Sequence, residues 1–339
     1  MFSKTDTCRK SQRPSALILA IVLALLLSAC GQTQTPKVYR VGILCGLDFF
    51  ASTVDGFKAK MTELGYIEGK NITYDLQKTN FDEAAQEQIL KKFVADKVDL
   101  IFVFPTEASI QAKAIAEGSN IPVLFANAAL EGNTLVDNVG APGGNITGVQ
   151  FPTTDNALKR FEMMHELLPD AKRMWVAFLN GYPTVGPELE VLRPAAAAAG
   201  VTLVEVPATD VADIQVDLDA RSAAADIGMD AILIIPEPLT AGPDAFAVIG
   251  KFAAEHKLPI GGALIMTENY GSIFGYTPDS VKVGEQAAFL ADKIFKGTPA
   301  GTISVVSANS YLTINYKIAQ ELGIVVSDGL LNQAVEVIR

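Results

Sequence analysis

Two stretches of this chain, Asp99-Leu100-Ile101-Phe102-Val103-Phe104 and Asp230-Ala231-Ile232-Leu233-Ile234-Ile235, are runs of consecutive apolar residues behind an Asp. A strand that is apolar at every position must be covered on both faces. That is the state of an inner strand in a parallel sheet with helices on either side. Two such strands, about 130 residues apart in a chain of 339 residues, point to two α/β units, and a chain of this length exceeds what one hydrophobic core organises comfortably.

The segments around each run support the same reading. Before the first come a strand over 38–44, a helix with an apolar stripe at Val54, Phe57, Met61 and Leu64, a strand over 71–77 and a helix over 84–97. After it come a helix over 106–117 and a strand over 122–125. A second series follows: a helix marked by Leu158, Phe161, Met164 and Leu168, a strand over 173–179, a helix over 188–199, a strand over 201–206 and a helix over 214–225. Beyond the second run lie a helix over 246–256, strands over 259–264 and 272–276, a helix over 281–295, a strand over 302–306 and a C-terminal region from Tyr311. The β-α-β order implies parallel, doubly wound sheets with right-handed crossovers. Between the two series sits Gly140-Ala141-Pro142-Gly143-Gly144-Asn145-Ile146-Thr147-Gly148-Val149-Gln150-Phe151, a turn leading into a short strand, with Gly144 and Gly148 as candidate hinge residues. The expected organisation is one lobe over 38–150 with roughly 265–307, and a second over 151–264 with roughly 308–339.

The N-terminus reads as a targeting segment. Lys4, Arg9, Lys10 and Arg13 stand against Asp6, a net +3 that leaves −14 on the remainder of a chain whose total is −11. An apolar run over 16–27 is short for a membrane span and ends in Leu27-Ser28-Ala29-Cys30. This pattern resembles a bacterial lipobox, so residues 1–29 are expected to be a signal peptide, Cys30 the lipidated residue, and 30–37 a polar tether. Multiple acyl chains on Cys30 would hold the protein at a membrane. Of the three Cys, Cys8 falls in the signal and Cys30 is acylated, so Cys45 has no disulfide partner and reads as a small buried residue. The acidic balance argues against nucleic acid as a partner.

Catalytic constellations are sparse. The two His, His165 and His256, both fall on helical segments, and no His-Glu-x-x-His, metal-spaced Cys/His cluster or Gly-x-Ser-x-Gly elbow occurs. No cofactor and no metal is expected. In open α/β sheets ligands bind outside the carboxyl ends of the strands. The strand ends supply Asp48, Phe49 and Phe50, then Thr106 and Ser109, then Asn127 and Glu131; in the second series they supply Asn180 and Tyr182, Asp210, and Glu237. Each also has an ordinary reading as cap, core or solvated residue, and together they form a candidate ligand site for a small molecule. Thr106 and Ser109 at a helix start suit a carboxylate. Glu131 or Glu237 suits an ammonium, and Phe49, Phe50 and Tyr182 suit a flat apolar body.

A family resemblance covers nearly all of the chain beyond Cys30. It is carried by Gly56-Phe57 with Glu63-Leu64-Gly65-Tyr66-Ile67-Glu68-Gly69-Lys70-Asn71-Ile72, by Ile121-Pro122-Val123-Leu124-Phe125, by Pro142-Gly143-Gly144-Asn145-Ile146-Thr147-Gly148-Val149, by Gly284-Glu285-Gln286-Ala287-Ala288 and by Asn315-Tyr316-Lys317-Ile318-Ala319. In these stretches the chain resembles the ABC-transporter substrate-binding lipoproteins that include tryptophan- and tyrosine-binding members. The resemblance implies a type I periplasmic-binding-protein fold: α/β, two doubly wound parallel-sheet lobes joined by a multi-crossing hinge. It implies a non-enzymatic solute carrier that closes on an amino acid with an aromatic or apolar side chain. Its partners would be an ABC permease and its ATPase, and its place the extracytoplasmic face of a membrane. Thr106 matches a Thr of the family at the third strand end. The family often has Asp-Pro after the fourth strand, where this chain has Asn127-Ala128-Ala129-Leu130-Glu131-Gly132. The alternatives are a ligand sensor for a membrane receptor and a secreted α/β enzyme.

Overall fold

The computed structural model describes residues 1–2, 37–263, 265–266 and 270–339. All of the signal segment but its first two residues, Cys30 and all but the last residue of the tether lie outside the described residues, as does Leu264 at the end of one expected strand. The folded body is Tyr39–Arg339. No helix among the described residues is long and apolar enough to cross a membrane.

The first series folds as expected. Strand β1 (Tyr39–Cys45) leads through a 3-10 turn (Asp48–Phe50) into α1 (Ser52–Glu63), then β2 (Ile72–Lys78), α2 (Glu83–Ala95), β3 (Leu100–Phe104), α3 (Thr106–Ala116), β4 (Val123–Ala128) and β5 (Ile146–Gln150). The second series runs α4 (Thr153–Leu167), β6 (Arg173–Leu179), α5 (Val185–Ala198), β7 (Thr202–Ala208), α6 (Val211–Ser222), β8 (Ala231–Leu233), α7 (Pro243–His256), β9 (Ile260–Gly262) and β10 (Phe274–Pro278). The chain ends with α8 (Ser280–Phe295), β11 (Val306–Ser307), β12 (Ser310–Asn315), α9 (Tyr316–Glu321), α10 (Asp328–Gln333) and β13 (Ala334–Ile338). One sheet has the order β11-β5-β4-β3-β1-β2, the other β13-β12-β10-β9-β8-β6-β7. All pairs are parallel except β10 with β12. The protein is therefore α/β, with two mostly parallel sheets, each forming one lobe.

Side-chain alternation explains why each sheet is covered twice. In the first lobe, Val41, Ile43, Leu100, Phe102 and Phe104 pack with Phe57 and Met61 of α1 and Val283 and Ala287 of α8. Their neighbours Leu44, Ile101, Val103, Val123 and Phe125 point the other way, onto Leu90 and Phe93 of α2 and Ala108 and Ala112 of α3. The second lobe repeats the plan, with Met174 and Val176 facing α4 and α5, and Trp175 and Ala177 facing α6 and α7. Helices α1 and α8 cross at backbone contact. A Cβ on Gly56 would lie 2.0 Å from the Val281 carbonyl oxygen, and one on Gly284 would lie 2.1 Å from that of Thr53.

Three expectations about organisation need correction. First, β10 joins β9 and β12 in the second sheet, so the chain returns to the first lobe at Asp279, not near residue 265. An apolar strand at 272–276 suits either sheet, and only its pairing assigns it. Second, the segment 302–306 is not one strand: a 3-10 turn spans Ala300–Thr302, and β11 is a two-residue strand. Third, Gly144 and Gly148 are not at a crossing. β5 pairs with β4 and β11 and belongs wholly to the first sheet, so the chain leaves that lobe only at Phe151–Pro152. Gly148 is small because Phe125 lies over it, where an added Cβ would sit 2.4 Å from the ring. Gly144, at φ +51°, shapes the turn at the opposite end of β5. The crossings are Phe151–Pro152, Asp279 and Ala308–Asn309.

Candidate functional site

The carboxyl ends of both sheets border one cavity of about 470 Å³. From the first lobe it is lined by Phe49 and Phe50, by Asn80 and Phe81 after β2, by Pro105 and Thr106 at the start of α3, and by Asn127 and Ala129 after β4. The second lobe contributes Thr153, Tyr182, Thr184, the turn Pro236-Glu237-Pro238 and Thr277, while Phe151 enters from a crossing. The volume lies within the range usual for small-molecule sites.

Each polar group at this cavity has a local cause for its position. β4 breaks register with β5 between Phe125 and Ala128, and Asn127 takes a left-handed φ of +48°, which Asn tolerates better than most residues. The irregularity turns its side chain toward α1, where Nδ2 donates to Thr53 Oγ1 at 2.8 Å. Asn127 is 4% exposed, and its Oδ1 has no hydrogen-bond partner. Thr106 opens α3, whose N-cap residue is Pro105 and which no side chain caps. The first N–H groups of a helix have no intrahelical acceptor, and the helix dipole adds positive potential there. Thr106 Oγ1 accepts from Ala129 N at 3.0 Å, which ties α3 to the loop after β4 and leaves the hydroxyl proton to donate elsewhere.

Glu237 is 5% exposed, and its two oxygens accept from the backbone N–H groups of Leu239 and Thr240, each at 2.8 Å. These bonds hold the carboxylate in one orientation. Tyr182 is half-buried; burial first, then the neighbouring Glu107, Glu237 and Glu188 carboxylates, push its phenol well above the ordinary tyrosine range. Behind the second-lobe wall, Arg160 on α4 and Glu188 on α5 are each 1% exposed. Burial pushes Glu188 up to about 8 and outweighs the attraction of Arg160, while burial lowers Arg160 to about 10. Arg160 donates through Nε to the Tyr276 carbonyl at 2.8 Å.

Six of the eleven expected ligand residues, Phe49, Phe50, Thr106, Asn127, Tyr182 and Glu237, line the cavity. The other five do not. Asp48 is exposed, with its carboxylate 3.2 Å from Lys78 Nζ. Ser109 lies one turn inside α3 and donates back to the Pro105 carbonyl at 2.6 Å. Asn180 is exposed at a turn, and Asp210 caps α6 by accepting from Ala212 and Asp213 N–H. Glu131 bridges the lobes beside a crossing: its carboxylate accepts from the Thr154 hydroxyl and from Leu130 N, each at 3.1 Å. Phe81 and Phe151 also line the cavity and are not among the residues expected from the sequence. Phe81 carries φ +69°, an outlier for an aromatic residue, held where its N–H donates to the Gly46 carbonyl at 2.7 Å. Its sequence signal is its place in the turn after β2, another parallel strand end.

Residues 41–338 match the family model described as ABC transporter substrate binding protein. The chain belongs to that family. It is accordingly a substrate-binding protein of an ABC transporter rather than an enzyme. A "Tyrosine-binding protein" from Clostridioides difficile (strain R20291) is 24% identical over 314 residues, covering 88% of each chain. A Streptococcus pneumoniae structure described as an ABC domain in complex with L-Trp superposes with a TM-score of 0.75 at 21% identity, over 89% of this chain and 100% of that one. A ligand-free, open substrate-binding protein with adhesive properties from Clostridium difficile gives 0.71 at 22% identity, over 89% and 99%. These likenesses place the substrate-binding protein in the periplasmic-binding-protein fold.

Proposed function

We propose that this substrate-binding protein captures an amino acid with an aromatic or otherwise flat apolar side chain by closing its lobes, and passes it to an ABC permease driven by its ATPase. The observation that carries this reading is the cavity itself, where Phe49, Phe50 and Phe81 from one lobe and Tyr182 from the other border the same 470 Å³ with Phe151 between them. An aromatic body held there gains area burial plus roughly 0.5–1.5 kcal/mol per well-placed ring pair. Thr106 and the uncapped start of α3 suit the ligand's carboxylate, and Asn127 Oδ1 with Glu237 suits its ammonium. The tyrosine-binding relative and the L-Trp complex support the ligand class, and the open, ligand-free neighbour supports closure. Contacts made from both lobes exist only when the cleft is shut, so such a ligand shifts the population toward the closed form. The N-terminal pattern supports anchoring through acylated Cys30 on the extracytoplasmic side.

Thermal-shift screening of the twenty amino acids, followed by small-angle scattering with the best binder, tests the proposal. Stabilisation by Trp, Tyr or Phe together with a smaller radius of gyration is the expected result. Stabilisation only by short polar amino acids would overturn the aromatic pocket, and an unchanged radius at saturation would overturn closure.

A further inference from the structure

What this cleft can neutralise decides which charged groups it accepts. Among the described residues, no Lys or Arg lines the cavity, and Glu237 is its one charged wall residue. The two backbone N–H groups that hold Glu237 use about half of the four lone-pair directions of a carboxylate, so each oxygen retains acceptor capacity. Asn127 holds a second acceptor enclosed just behind the wall. Because Nδ2 is committed to Thr53, the atom left over in this nearly fully buried side chain is Oδ1, which has no partner. More negative charge stands close behind the wall. Glu107 acts with Glu237 on the Tyr182 phenol, and Glu131 and Glu237 act together on Glu188, whose own pKa of about 8 leaves it mostly protonated at neutral pH. The opposing cation, Arg160, is buried and absent from the cavity wall.

The cleft treats the two ionic groups of an amino acid unequally. An incoming carboxylate finds no side-chain cation, only the Thr106 hydroxyl and the dipolar start of α3. An incoming ammonium finds a fixed carboxylate and the faces of aromatic rings, which attract cations through their quadrupoles, with the unpaired Asn127 amide oxygen enclosed just behind them. We infer that the cleft recognises its ligand chiefly through the amine, and that aromatic monoamines, a flat ring bearing a protonated primary amine and no carboxylate, are ligands of this protein alongside the amino acids. This inference rests on the aromatic-ligand reading above and deepens it.

Isothermal titration of the full chain in detergent with two matched series tests it. The first is L-tyrosine, tyramine and 3-(4-hydroxyphenyl)propionate; the second is L-tryptophan, tryptamine and indole-3-propionate. The amines are expected to bind within tenfold of the parent amino acids in at least one series, and the deaminated acids at least a hundredfold more weakly. Asn127→Asp, which both keeps a side chain tolerant of the left-handed backbone and adds a negative charge, is expected to tighten the amine at least fivefold and to weaken the acid further. Glu237→Gln is expected to weaken the amine more than tenfold. If the amino acids bind and the amines do not, or if the acids bind as well as the amino acids, this inference fails and the aromatic reading stands. If none of the six compounds binds, both fail. An amine affinity unchanged in both variants would also overturn the inference, because the binding would then owe nothing to the acceptors named here.

Discussion

Replacing Gly284 with Ala probes the joint on which the first-lobe side of the cleft depends. The added Cβ would lie 2.1 Å from the Thr53 carbonyl oxygen and 2.6 Å from Phe57 N, both backbone atoms of α1. Neither can swing aside as a side-chain tip would, so α1 and α8 must separate by more than 1 Å to carry the 2.1 Å approach out to ordinary contact at 3.4 Å. Overpacking of this kind costs about 1–3 kcal/mol, occasionally more. The higher helix propensity of Ala returns up to about 1 kcal/mol. The net loss, on the order of 1–2 kcal/mol, corresponds to a fall in Tm of about 2–3 °C for a folded body of this size. Binding should weaken as well, since Thr53 is the residue that Asn127 Nδ2 contacts at 2.8 Å. Gly186→Ala is the matched control. It also lies in a helix, α5, but an added Cβ there meets nothing within 4 Å. That change should be neutral or stabilise by about 0.4–1 kcal/mol. Differential scanning fluorimetry and urea unfolding of both variants read the difference. Equal stability of Gly284→Ala and wild type would refute the close-contact reasoning.

Thr106→Ala should weaken ligand binding by about 1–3 kcal/mol, the range for a lost charge-assisted or buried hydrogen bond; Thr106→Ser should restore most of it, and calorimetry giving equal affinities for Ala and wild type would remove Thr106 from the site. Glu188 makes stability depend on pH: its folded pKa of about 8 lies above the ordinary 4.5, so the folded state holds the extra proton and stability falls as pH rises from about 4.5 through 8, by about 1.4 kcal/mol per unit. Glu188→Gln should flatten that slope in urea unfolding between pH 5 and 8.5, and an unchanged slope would place its origin elsewhere. Cys30→Ala should abolish acyl labelling and yield uncleaved or shed protein; persistent labelling would defeat the lipobox reading.

The alternation of strands and helices was legible because parallel-sheet strands and amphipathic helices have distinct periods, and β6 was placed residue for residue. The crossings were not legible. Ile146 to Phe151 reads as one extended segment, and nothing local says that Val149 pairs with Val306 while Phe151 has already left the sheet. The candidate site was legible wherever strand-end topology alone decides it, as for Thr106, Asn127 and Glu237. It failed where a polar residue had a nearer partner: Ser109 is taken by the Pro105 carbonyl, Asp210 by the α6 amides and Glu131 by Thr154. Sequence offers the donor or acceptor, and only the fold determines who reaches it first.

The crossings at Phe151–Pro152, Asp279 and Ala308–Asn309 are each one or two residues long. A pair of bodies joined by a single linker can tumble about several axes. Three short links restrict the relative movement to something close to one rotation, as parallel pins do for a door. For the proposed closure, little orientational freedom then remains to be lost when a ligand arrives, and the ordering cost that normally erodes affinity is already small in the empty protein. Lengthening one crossing by a flexible Gly-Ser pair would leave every contact in the closed cleft possible and still weaken binding, because the open state would gain entropy.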